Sequence, residues 1–94
     1  MYRIIGDRCS GKTSQLMLLA KETGAKIACS NPVAMRHKAE AYGIVGIEFV
    51  PYSELIKPYY DPEDNNKVLI DELEAFLHYC VRGEVLGYTL SNED

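Results

Sequence analysis

The sequence predicts an α/β fold: a three-layer α/β/α sandwich around a mostly parallel sheet of about five strands. Three observations predict it. Short apolar runs alternate with amphipathic stretches along the whole chain, the order expected of βαβ units. The first apolar run is followed at once by a glycine-rich turn and then a helical pattern, and a later run ends in two acids. The chain has 94 residues, enough for one domain and too few for two.

The elements follow in order. "YRIIG", Tyr2 to Gly6, reads as a buried strand, and "GKTSQLMLLAKET", Gly11 to Thr23, as a helix ended by Gly24. "KIACS", residues 26 to 30, is a second strand. Asn31 and Pro32 open the next helix, Asn as N-cap and Pro at the first turn, where its missing N–H costs nothing. That helix runs through "VAMRHKAEAY" and stops at Gly43. "GIEFVPY", Gly46 to Tyr52, holds a third strand, and Ser53 caps one turn through "ELIK". "PYYDPEDNN", Pro58 to Asn66, is an exposed loop by composition. "KVLID" is a strand carrying Asp71 at its end. In the helix after it, Leu73, Phe76, Leu77 and Cys80 fall on one stripe expected to be buried, and Arg82-Gly83 closes it. "EVLGYTLS", Glu84 to Ser91, is the last strand. It is expected between the Gly6 and Asp71 strands, with the second and third strands beyond Asp71.

Composition narrows the function. No apolar run approaches the ~20 residues that span a bilayer, and no basic-then-apolar leader follows Met1, so a cytoplasmic location and no membrane partner are expected. Three cysteines without a C-x-x-C pair argue against a disulfide framework and a zinc site. A net charge of −4 makes the whole chain a poor electrostatic match for nucleic acid.

The chemistry is carried by "GDRCSGKT". Gly6, Gly11, Lys12 and Thr13 satisfy G-x-x-x-x-G-K-[ST], between an expected strand and an expected helix. Glycines let the backbone of Gly6, Asp7, Arg8, Cys9, Ser10 and Gly11 turn its N–H groups towards phosphate oxygens, and the helix through Ser14 adds its positive dipole end. The Lys12 ammonium can reach the outer phosphates, and the Thr13 hydroxyl can ligate Mg²⁺. "VLIDE" brings Asp71 to the carboxyl end of the sheet, where a carboxylate can hold Mg²⁺, with Glu72 next to it as a candidate general base. The bland alternative for the acid pair is a helix start favoured by the dipole.

With both motifs placed, the chain resembles the P-loop NTPases, of the helicase/RecA-like branch with an extra glutamate. "IACSNPVAMRHKAEAYG", "VLIDELEAFL" and "EVLGYTLSNED" are similar to successive helicase segments, and the layout resembles small phage and prophage single-lobe proteins. The resemblance implies a minimal RecA-like core that binds ATP or another nucleoside triphosphate with Mg²⁺ and hydrolyses it slowly. For a phage protein it implies the host-cell cytoplasm. Helicases have a second lobe that supplies an arginine; here Arg8, Arg36 or Arg82 would act in trans in a homo-oligomer, or a larger motor protein would donate one. The sensor position falls on Ser91 or Asn92. Alternatives are a non-catalytic nucleotide-binding subunit or decoy and, ranked last, a nucleoside or nucleotide kinase.

Other residues invite weaker stories. "MRHK", residues 35 to 38, is a possible nucleic-acid contact, more simply a solvated helix face. Cys9 sits where a thiolate is favoured. His37 and His78 lack ligand-spaced companions, and Tyr59 and Tyr60 pack the loop or stack on a base.

Overall fold

The computed structural model describes residues 2–6, 11–57 and 61–91. Its sheet has three parallel strands, β1 (Lys26–Cys29), β2 (Phe49–Pro51) and β3 (Val68–Ile70), in the order β2-β1-β3. The helices are α1 (Lys12–Thr23), α2 (Pro32–Ala41) and α3 (Leu73–Cys80), with one 3-10 turn at Tyr52–Leu55.

Local signals explain the first half. Gly24 ends α1 in the left-handed region (φ 76°), and its N–H bonds to the Ala20 carbonyl at 2.8 Å. A side chain would strain that conformation, which is why glycine stands there. Asn31 caps α2, its Oδ1 accepting from the Ala34 N–H at 3.1 Å, and Pro32 is the first helical residue.

Strand alternation sorts the core into two faces. Ile27, Cys29 and Phe49 pack with Leu16, Met17 and Ala20 of α1 and Met35 and Ala39 of α2. Ala28 and Val50 point the other way, towards Tyr52, Val68, Ile70 and, from α3, Ala75 and Phe76. The loop before β3 is held by its own carboxylates. The Lys57 ammonium lies 2.8 Å from Asp64, and the buried Lys26 reaches the same carboxylate at 3.8 Å.

Five expectations are corrected. The five-stranded, RecA-like core does not form: the sheet has three strands, and the whole is too small for that architecture. Residues 2–6 and 84–91 form no strand among the described residues, although the Arg3 guanidinium donates to the Ser91 carbonyl and the Tyr88 hydroxyl to Glu74 at 2.7 Å. The α3 stripe is not buried: Leu73 and Cys80 are exposed, Phe76 and Leu77 half-buried. An apolar stripe needs a second surface, and no described strand lies beyond β3 to provide one. Finally, Pro51 rather than Ser53 precedes the 3-10 turn, and Val81 rather than Arg82-Gly83 ends α3.

Candidate site at the carboxyl edge of the sheet

Because all three strands are parallel, Cys29, Pro51 and Ile70 end at one edge of the sheet. The short Gly24–Ala25 connection makes α1 run back against β1, so the start of α1 lies at that same edge. Open α/β sheets bind ligands there.

The two helix starts at this edge are built differently. α2 caps itself through Asn31, as above. At α1 the N-cap is Gly11 (φ 81°), which offers no side chain to the first-turn N–H groups. The Ser14 hydroxyl donates to the Gly11 carbonyl at 3.0 Å, so it is turned onto its own helix. Lys12 and Thr13 are half-buried in the first turn, and Gly6 is exposed. A helix start of this kind offers backbone donors and a positive dipole end to an anion. Asp7, Arg8, Cys9 and Ser10 lie outside the described residues.

Asp71 follows β3 directly, and its N–H extends the sheet ladder to the Ala28 carbonyl at 2.9 Å. Its carboxyl is held above the usual carboxylate range, first by burial and then by the neighbouring Glu72; the positive charges of Lys38 and Lys12 pull it partly back. Lys12 and Asp71, 59 positions apart in the sequence, therefore feel each other at this edge. A carboxyl perturbed by burial and by a like-charged neighbour is a feature that functional sites and structural charge networks share.

Glu72 is the one described residue other than glycine with positive φ (57°, ψ 77°). A glutamate in that region stores strain of about 1–3 kcal/mol, which persists only where the surroundings enforce it. Glu72 occupies the N-cap position of α3, yet its carboxylate caps nothing and is exposed. The dipole of α3 still favours an acid at this helix start, as the bland reading of the pair expects.

Tyr52 was not singled out by sequence reasoning. It leaves the end of β2, passes the end of β1, and donates from its hydroxyl to the Asp71 carbonyl at 2.7 Å, with a longer approach to the Glu72 carbonyl at 3.4 Å. Its ring is buried, edge-on to Phe76 at 5.4 Å and tilted against Tyr79 at 6.0 Å. Burial, then the charges of Asp71, Cys29 and Glu72, push its phenol above the ordinary tyrosine range. The available signal was a tyrosine closing an apolar strand, an amphipathic ring suited to the boundary between core and site. Lys38 was also missed, being counted in "MRHK" as a solvated face. Of that cluster Met35 belongs to the core, while Arg36 and His37 are exposed.

The remaining residues are buried, exposed or outside the described residues. Cys29 is buried, and burial followed by Asp71 raises its thiol. His78 and Arg82 are exposed, Ser91 is engaged by Arg3, and Cys9, Tyr59, Tyr60 and Asn92 are not described. A cleft of about 300 Å³ lies at the amino ends of the strands, lined by Lys21, Glu48 and Asn65 among others. None of the sequence-predicted site residues among those described borders it.

Among the described residues, no group of three or more His, Cys, Asp or Glu side chains could hold a metal by itself. The Asp71 carboxylate and Thr13 hydroxyl are hard oxygen donors, and Mg²⁺ takes one or two such protein ligands, completing its shell with water and substrate phosphate. In residue type these are the oxygen donors that Mg²⁺ takes. No helix among the described residues is long and apolar enough to cross a membrane. Comparison with protein-family models, with curated proteins and with solved structures finds no match for this chain, so the functional reading rests on its own residues.

Proposed function

We propose that the carboxyl edge of the sheet binds a nucleoside triphosphate, ATP in the first instance, together with Mg²⁺, and hydrolyses it slowly. The observation that carries the reading is the joint placement of an uncapped glycine-lysine helix start and a strand-end carboxylate that senses the Lys12 charge. Backbone N–H groups at Gly11–Thr13 cradle phosphate oxygens, and the Lys12 ammonium neutralises the outer phosphates. Thr13 and Asp71 would hold Mg²⁺, which supplies charge neutralisation between phosphate oxygens. Glu72, exposed and free of a capping role, orients and deprotonates a water.

Turnover is slow on this reading because the acid pair stands at an open edge. Full rates in such chemistry depend on an arginine worth ~10³ or more. Arg36 and Arg82, both exposed, are the described candidates to reach a neighbouring chain. Calorimetry of Mg·ATP binding by wild type and Lys12→Ala tests the reading. The variant should bind roughly 100-fold more weakly, the loss of charge-assisted hydrogen bonds; a wild type that binds no Mg·ATP ends it. Glu72→Gln, which should keep ATP bound while phosphate release disappears, separates a weak ATPase from a subunit that only carries nucleotide.

A further inference from the structure

We propose that Tyr52 is a positioning residue: its hydroxyl holds the Asp71–Glu72 turn in the left-handed geometry that aims the acid pair into the site at the sheet edge. The inference rests on the nucleotide reading above and extends it to a residue in a different strand unit.

Three contacts enforce the strained turn. The Asp71 N–H is tied to β1 through the Ala28 carbonyl, and the Glu72 carbonyl accepts the first α3 bond from the Phe76 N–H at 3.1 Å. The third is the phenol of Tyr52 on the carbonyl between them, at 2.7 Å. The first two are ordinary ladder and helix bonds, which any strand-to-helix junction makes. Only the phenol is specific to this geometry, and it comes from the far side of the central strand. A buried hydroxyl with a single strong acceptor is directional, so it fixes where that peptide plane points. The plane in turn sets φ of Glu72 and the exit of both carboxylates. The ring packing on Phe76 and Tyr79 gives the hydroxyl a rigid mount.

Tyr52→Phe keeps the ring and removes only the oxygen. Two readouts are needed. The first is the strong intraresidue amide–Hα cross-peak that a positive φ produces at Glu72, followed by NMR without any ligand. The second is the ratio of ATP affinities with and without Mg²⁺, from calorimetry. Wild type should show the positive-φ signature; Tyr52→Phe should lose it and reduce the Mg²⁺-dependent gain in affinity about ten-fold, the effect of one hydrogen bond. Metal-free ATP binding should be unchanged, whereas a purely structural role would weaken both or neither. A wild type with negative φ at Glu72 overturns the proposal without any variant. So does a variant that keeps either the signature or the Mg²⁺ gain. A wild type that binds no Mg·ATP fails differently: it ends the nucleotide reading, and the positioning role with it, whatever the NMR signature shows.

Discussion

Neighbouring strands β1 and β3 lie in one sheet and are nevertheless different kinds of structure. Every residue of β1 is buried, whereas every residue of β3 is only half-buried. The helices repeat the contrast. α1 and α2 place Leu16, Met17, Ala20, Met35 and Ala39 in the core, while α3, "LEAFLHYC", contributes no buried residue. The total surface, 7246 Å², exceeds the roughly 5,500 Å² typical of a folded 10.6 kDa chain. Leu86, Leu90, Leu73 and Tyr79 are among the exposed apolar residues. Burial is thus concentrated on one side of the central strand. The acid pair sits on the other, where Tyr52 links the two.

The largest effect is expected on the buried side. Ile27→Ala removes a fully buried side chain from the centre of β1 and should cost about 3 kcal/mol. In a domain this small the melting temperature should fall by well over 10 °C, or cooperative folding should be lost. A loss below about 1 kcal/mol by denaturant titration would break the comparison.

Next comes the seam itself. The folded pKa of Asp71 is raised, so its contribution to stability is present below the unfolded value and is lost as pH rises through the folded one. The charged groups facing it are Lys12 from α1, Lys38 from α2 and Glu72 at the start of α3, and their balance leaves burial uncompensated. Asp71→Asn should therefore melt a few degrees higher than wild type at pH 7, with the advantage vanishing near pH 3, while Mg²⁺-dependent nucleotide binding is abolished. Equal melting curves at both pH values would show that the carboxylate carries no such cost.

The smallest effect is expected on α3. Leu73→Ala trims a side chain that is 44% exposed and should change stability by less than about 0.5 kcal/mol, within the range of surface substitutions. A loss approaching that of Ile27→Ala would sharpen the picture by revealing a cover over α3.

The helix ends and the order of the elements were legible in the sequence for a reason of range. Helix ends are written within three or four residues of themselves, and so Gly24, Asn31 and Pro32 could be assigned from their neighbours alone. The spacing from Gly11 to Thr13 and the apolar run before Asp71 are equally local, which is why both ends of the proposed site could be named. The α3 stripe and the two outer strands could not, because apolar periodicity says what seeks burial and not what is available to cover it. Tyr52 and Lys38 escaped notice on the same ground: each acts on Asp71 across the sheet.

The sequence by itself determined the α/β alternation, the caps of α1 and α2, and the residue types that the proposed site draws on. Only the tertiary structure decided that three strands pair rather than five, that Lys12, Lys38, Asp71 and Tyr52 share one edge, and that Glu72 adopts a strained backbone. The reason is physical: strand pairing, burial and charge fields depend on partners distant in the chain, and no local pattern specifies which of them will meet.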